Sequence, residues 1–305
     1  MFIRTVLGDI DPADFGRCLP HEHLLGQPPP HLATPDLQLT DLDAAIREVE
    51  AFQTVGGRSI VEMTTPDYGR DAAGLRRIAE ATGVHIVAAT GYNKETFSAP
   101  FLDGVSVAEL VERYVREVEA GMDGTDIRTG LIKASTMTTM TPHGATMLQA
   151  AAEAHHRTGA PISTHTEKGR LGVAQAQALI DAGVKPEHIV IGHTDHQLDW
   201  GYHAELAATG VFLGIDQIGK AKYAPDADRI AFIQRHIDAG HGEQLLLSGD
   251  LARRSYWTAH GGAPGFGYIL TDFASALRAA GLTDSDLDRL FIANPARAFA
   301  FGQSA

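Results

Sequence analysis

The sequence predicts a (β/α)8 barrel, an α/β fold in which a parallel sheet is wrapped by helices. Three observations predict it. From Arg17 onward, short apolar runs alternate with longer amphipathic stretches, the pattern of parallel strands joined by crossover helices. Eight such runs fall in a chain of 305 residues, in keeping with the roughly 250 residues an eight-stranded barrel uses. The alternative is an open Rossmann-like sheet. It calls for a Gly-x-Gly-x-x-Gly turn after its first strand, and none follows residues 18–23.

The elements follow in order. Residues 18–23 form the first strand and end in two histidines. The Pro28-Pro29-Pro30 run and the stretch to Pro35 read as a long loop, because proline removes backbone donors. A helix over 41–54 leads to a strand over 59–64, and a helix over 71–81 to a strand over 85–89. Residues 90–103 read as a second long loop, followed by a helix over 107–120. Strands over 129–134, 161–165, 189–193, 211–215 and 244–249 then alternate with helices over 144–158, 172–182, 202–208 and 226–239. Gly83, Gly159, Gly183, Gly210 and Gly240 close these helices, as expected of a left-handed C-terminal cap. Helices over 268–280 and 284–290, and a short one near 295–301, complete the chain. With no linker or shift of composition, residues 1–305 read as one domain.

Composition narrows the function. A 44% hydrophobic content supports a sizeable core. A net charge of -13 argues against nucleic-acid partners and anionic membrane surfaces. No apolar run approaches the roughly 20 residues of a membrane span, and the N-terminus lacks the apolar region of a signal peptide. The single cysteine, Cys18, precludes internal disulfides and fits a reducing compartment. As a lone buried-type residue it reads as core. These observations predict a cytoplasmic protein acting on a small molecule.

The chemistry gathers at strand ends. Alternate residues of a strand share a face, so His21 and His23 form half of a metal site. In a barrel the C-terminal strand ends carry the active site. Those ends add Lys133, His165, His193 and Asp250. Imidazole and carboxylate suit zinc, and also manganese, cobalt or iron. So many polar groups at one rim are costly unless an ion organises them. A helix-borne zinc-protease motif is excluded, since Leu25 stands where its second histidine is required. Lys133 lies in an apolar strand. Burial lowers a lysine pKa and exposes a neutral amine, which can take up carbon dioxide as a carbamate able to bridge two ions.

The segments Arg4-Thr5-Val6-Leu7-Gly8, Pro20-His21-Glu22-His23, Thr164-His165-Thr166, Gly192-His193-Thr194-Asp195 and Ser248-Gly249-Asp250 resemble the phosphotriesterase-related family of the amidohydrolase superfamily. The Asp216-Gln217-Ile218-Gly219-Lys220 and Asp250-Leu251-Ala252-Arg253-Arg254-Ser255 segments are most similar to its phosphotriesterase homology protein subgroup. The resemblance implies two divalent metal ions per chain. His21, His23 and Asp250 would hold the more buried ion and His165 and His193 the more exposed one. Carboxylated Lys133 and a hydroxide would bridge them, and Asp250 would take the hydroxide's proton. It also implies a homodimer. One departure bears on the substrate. Organophosphate-degrading members are similar in carrying a histidine at position 217 and an acid at 196, where this chain has Gln217 and His196. An amide does not relay protons as an imidazole does.

The activity expected first is therefore metal-dependent hydrolysis of a lactone or carboxylic ester bearing an anionic group. Phosphotriesterase or amide hydrolase activity is the alternative, and a metal-containing binding protein without turnover a third. Lys94, Lys220, Arg253 and Arg254 fall on loops at the mouth and are candidates for the anion. Tyr92 is a candidate for lining the pocket.

Overall fold

A computed structural model describes residues 1–302. Eight parallel strands stand in a row: β3 (Cys18–Glu22), β4 (Ser59–Glu62), β5 (His85–Gly91), β6 (Leu131–Thr136), β7 (Ile162–Thr166), β8 (Ile189–Ile191), β9 (Phe212–Ile215) and β10 (Leu245–Leu247). Each pairs with its sequence neighbours, as right-handed βαβ units require. All eight expected strands are present, with ends shifted by up to two residues.

Among the described residues, β10 and β3 share no strand ladder. The barrel closes at this seam by single bonds, one of them from the Asp250 amide to the His21 carbonyl at 3.1 Å. A short antiparallel hairpin, β1 (Ile3–Thr5) with β2 (Gly8–Ile10), precedes the barrel. Three-residue strands carry too little alternation to be read from sequence.

Alternation within the strands sorts the core. Cys18, Val61, Val87, Leu131, Val190, Phe212 and Leu246 meet inside the barrel, together with Ile3 and Phe299. Leu19, Ile60, Ile86, Ile132, Ile162 and Leu213 join the larger cluster that the helices cover. Cys18 is fully buried, as its reading as a core residue requires. A register shift in β3 between Leu19 and Glu22 re-aims the strand end, a known use of bulges beside sites.

One loop expectation is corrected. Residues 90–103 contain a helix, Glu95–Leu102, with Pro100 inside it. Proline removes one helical bond and discourages a helical reading, but Phe97 and Leu102 are buried and anchor the turn. The expected helix over 268–280 is split at Thr271 into a 3-10 turn, Phe266–Leu270, and a helix, Asp272–Ala279. No helix among the described residues is long and apolar enough to cross a membrane.

Candidate metal centre

His21, His23, Lys133, His165, His193 and Asp250 all line one cavity of about 390 Å3 at the C-terminal mouth of the barrel. A larger cavity of about 920 Å3, beside Phe2, Phe212 and Phe301, opens at the opposite end and contains none of them. Chemistry, not size, marks the site.

The mouth is built in two halves. His23 Nε2 lies 3.4 Å and His21 Nε2 3.8 Å from Asp250 Oδ1. The ligand atoms of this trio fall within 4.8 Å of one another. His165 packs edge-on against His193 with ring centroids 4.5 Å apart, and His193 lies 4.7 Å from His21. His193 and Asp250 have φ of 57° and 45°, a region that ordinary residues visit rarely and functional sites favour.

Each histidine is gripped from behind on one nitrogen. His23 Nδ1 meets Thr64 Oγ1 at 2.8 Å, and His165 Nε2 meets Glu167 Oε2 at 3.0 Å. Asp216 serves two rings, with Oδ2 3.3 Å from His21 Nδ1 and Oδ1 2.7 Å from His193 Nδ1. Such outer partners set the tautomer and orientation of metal-binding imidazoles. The second nitrogen of each ring is thereby left for the cavity. The buried Nε2 of His21 has no hydrogen-bond partner among the described residues, so the donor set fits a cation. Asp216 also lies near enough to His21 and His193 to ligate. However, both its oxygens are occupied by Nδ1 atoms and by the His193 backbone N–H, so it orients.

Electrostatics at His23 and His165 agree with that reading. Burial lowers the pKa of His165 to about 3 and of His23 to about 4, keeping both rings in the neutral form that ligates. Burial also lowers Lys133, whose Nζ donates to the Met63 carbonyl at 3.0 Å. Burial alone would raise the Asp250 carboxyl, but Lys220 and His23 hold it well below the usual range.

The expected cations part company. Lys220 is buried and committed. Its ammonium donates to the Asp250 carbonyl, to Asp250 Oδ2 at 3.1 Å and to Gln217 Oε1 at 3.0 Å. Arg253 lines the cavity and reaches Asp36 at 3.3 Å. Lys94 lines it too, paired with Glu167 at 2.8 Å. Two expectations are corrected. Arg254 is exposed and away from the cavity. Tyr92 is fully buried against Tyr114, with its hydroxyl unpartnered, because Gly91, at φ 93°, turns the chain there. Lys222, Tyr223 and Tyr256 also line the mouth, unanticipated because their loops carry no periodicity.

Gln217 sits where its position predicts, with Nε2 donating to Asp250 Oδ2 at 3.0 Å. The aspartate therefore meets an amide and an ammonium where an imidazole relay would stand.

A barrel whose mouth gathers four histidines, a buried lysine and an aspartate defines a class, the hydrolases of the amidohydrolase superfamily. Residues 1–299 match the sequence profile of the phosphotriesterase family, and the chain belongs to that family. It is 34% identical to the phosphotriesterase homology protein of Escherichia coli over 93% of this chain and 98% of that protein. It is 31% identical to the phospho-furanose lactonase of Mycoplasmopsis synoviae, over 99% of this chain and 92% of that one. The crystal structure of a lactonase from Listeria monocytogenes superposes with a TM-score of 0.95 at 34% identity, covering 99% of this chain and 100% of that one.

Proposed function

We propose that this protein is a binuclear-metal-dependent hydrolase of a lactone or carboxylic ester that carries an anionic group. The observation that carries the reading is the unpartnered, buried Nε2 of His21 beside His23 and Asp250, in a cavity that His165, His193 and Lys133 complete. His21, His23 and Asp250 would hold one divalent ion, and His165 and His193 a second. Lys133, carboxylated on its neutral amine, would lie between them. Zinc suits these donors. When bound, two such ions polarise the substrate oxygen and make water nucleophilic near neutral pH.

The chain's own groups then have separate tasks. Asp216, Thr64 and Glu167 hold the imidazoles in one tautomer. Asp250, kept ionised by Lys220, is the base that accepts the proton of the attacking water. Gln217 and Lys220 steady its Oδ2. Lys222 and Arg253, with the Tyr256 ring beside Lys222 at 5.4 Å, supply positive charge on one wall of the cavity. That wall favours an anionic substrate group, and the relatives named as lactonases support the scissile bond chosen.

One experiment tests the reading. A single zinc-reconstituted preparation is assayed on phosphorylated and neutral lactones, carboxylic esters, amides and phosphotriesters. Turnover greatest on anionic lactones or esters is expected. Binding without turnover of any of them, or greatest turnover on phosphotriesters, would overturn it.

A further inference from the structure

Glu22 and Glu62 sit on neighbouring strands, are fully buried, and form no ion pair among the described residues. Leaving a carboxylate inside a protein is costly unless its lone pairs are filled. Both are filled by backbone amides at the ends of the strands that carry the metal centre.

Glu22 lies between His21 and His23 but turns to the seam. Its Oε1 accepts from the Ser248 hydroxyl at 2.8 Å and the Gly249 amide at 2.8 Å, and its Oε2 from the Leu251 amide at 2.7 Å. The two amides flank Asp250. Ser248 Oγ in turn accepts from the His21 amide at 3.1 Å. With no ladder between β10 and β3, this one carboxylate accepts two amide bonds across the gap, one on each oxygen, and shares the Ser248 hydroxyl proton with the His21 carbonyl. It does so around a residue whose φ of 45° persists only where its surroundings over-determine it. Glu62 makes the matching clasp one strand away. It accepts from the Leu24 amide at 3.0 Å and the Thr64 amide at 3.0 Å, and Thr64 orients His23.

We propose that Glu22 is a positioning residue. Its carboxylate replaces the missing ladder at the barrel seam and fixes Asp250 beside His21 and His23. The inference concerns the buried half of the metal site and to that extent rests on the function proposed above. A carboxylate is required because each of its oxygens faces a backbone N–H, an obligatory donor. Glutamine would set an NH2 group against an N–H, and aspartate is one methylene too short to span both amides.

The test uses the zinc-loaded and cobalt-loaded full chain, comparing wild type with Glu22→Gln, Ser248→Ala and Glu62→Gln. Zinc retention is measured by competition with a chromogenic chelator, the cobalt site by visible absorption, and backbone order by amide hydrogen exchange. Glu22→Gln is expected to release zinc about 10- to 100-fold more readily, to alter the cobalt band, and to speed exchange at Gly249 and Leu251. Ser248→Ala should shift all three the same way by less. Glu62→Gln should speed exchange at Leu24 and Thr64 and leave Gly249 and Leu251 as in wild type. Zinc retention within twofold of wild type in Glu22→Gln, or unchanged exchange at Gly249 and Leu251, overturns the proposal. If Glu22→Gln does not fold, the same results in Ser248→Ala overturn it. If wild type binds no metal, the proposed function fails on its own, and the exchange data still decide what Glu22 holds.

Discussion

Asp216 Oδ1 lies 2.7 Å from His193 Nδ1, and the other oxygen of the same carboxylate reaches His21 Nδ1 at 3.3 Å. One side chain thus aims an imidazole in each half of the centre. Asp216→Asn leaves a single acceptor for two N–H groups. It is expected to weaken metal retention about 10- to 100-fold, measured by metal analysis after dialysis against a chelator. Full retention would show that the rings are aimed by packing alone.

Lys133 is fully buried at the base of the mouth with its pKa lowered. Metal uptake by the stripped protein is expected to rise with added bicarbonate. Carbon-13 bicarbonate should give a carbamate signal that Lys133→Ala abolishes. Uptake that ignores bicarbonate would count against carboxylation.

Among the described residues, Asp250 is the only carboxylate that touches both His23 Nε2 and the cavity. Asp250→Asn removes the proposed proton acceptor and is expected to cut hydrolysis by about 10²- to 10⁴-fold. A variant that keeps its zinc and its full rate would remove the base from the mechanism.

Lys222 and Arg253 line the mouth without touching Asp250, as does Lys94, which is held by Glu167. Arg253 is more than a third exposed and already paired with Asp36, so solvent screens its effect. Lys222→Met and Arg253→Met should each raise KM for an anionic lactone about 2- to 5-fold and leave a neutral lactone unchanged. Equal effects on both substrates would assign these side chains to packing.

His236 lies away from the site. His203 Nε2 donates to the Thr194 and Gln197 carbonyls, so His203 Nδ1 accepts from His236 Nε2 at 3.0 Å. Burial lowers the His236 pKa to about 3, against roughly 6.5 when unfolded. Above about pH 6.5 the ring is neutral in both states. As pH falls from there toward about 3, only the unfolded chain takes the proton, and stability is lost, by about 2 kcal/mol at pH 5. Chemical denaturation at pH 7 and pH 5 should show that His236→Gln loses less on acidification than wild type. An equal loss would place the acid sensitivity elsewhere.

The sequence and the structure agree where a physical rule ties position to direction. Lys133 and His165 are legible because strand alternation and the barrel rim leave them one place to point, whereas His21 shares the parity of Leu19 and reaches the cavity through the register shift in β3. His193 was legible only by its position after an apolar run. Its side chain reaches the cavity through a left-handed backbone that no periodicity announces. The roles of Asp216, Glu167 and Thr64 are not legible in the sequence, because they depend on which rings the closed barrel brings beside them. Tyr92 misled for the opposite reason: it lies at a strand end like the ligands, but the turn at Gly91 sends it into the core.

The open seam between β10 and β3 has a consequence for the order of events in the cell. His21 and Asp250 stand 229 positions apart in the chain, one on the first strand of the barrel row and the other just beyond the last. A nascent chain has both only after every strand between them has been made. The cluster of His21, His23 and Asp250 is therefore a late product of synthesis. The bonds from the Gly249 and Leu251 amides to Glu22, which tie the two ends of the row together, likewise form only when the whole barrel has been made.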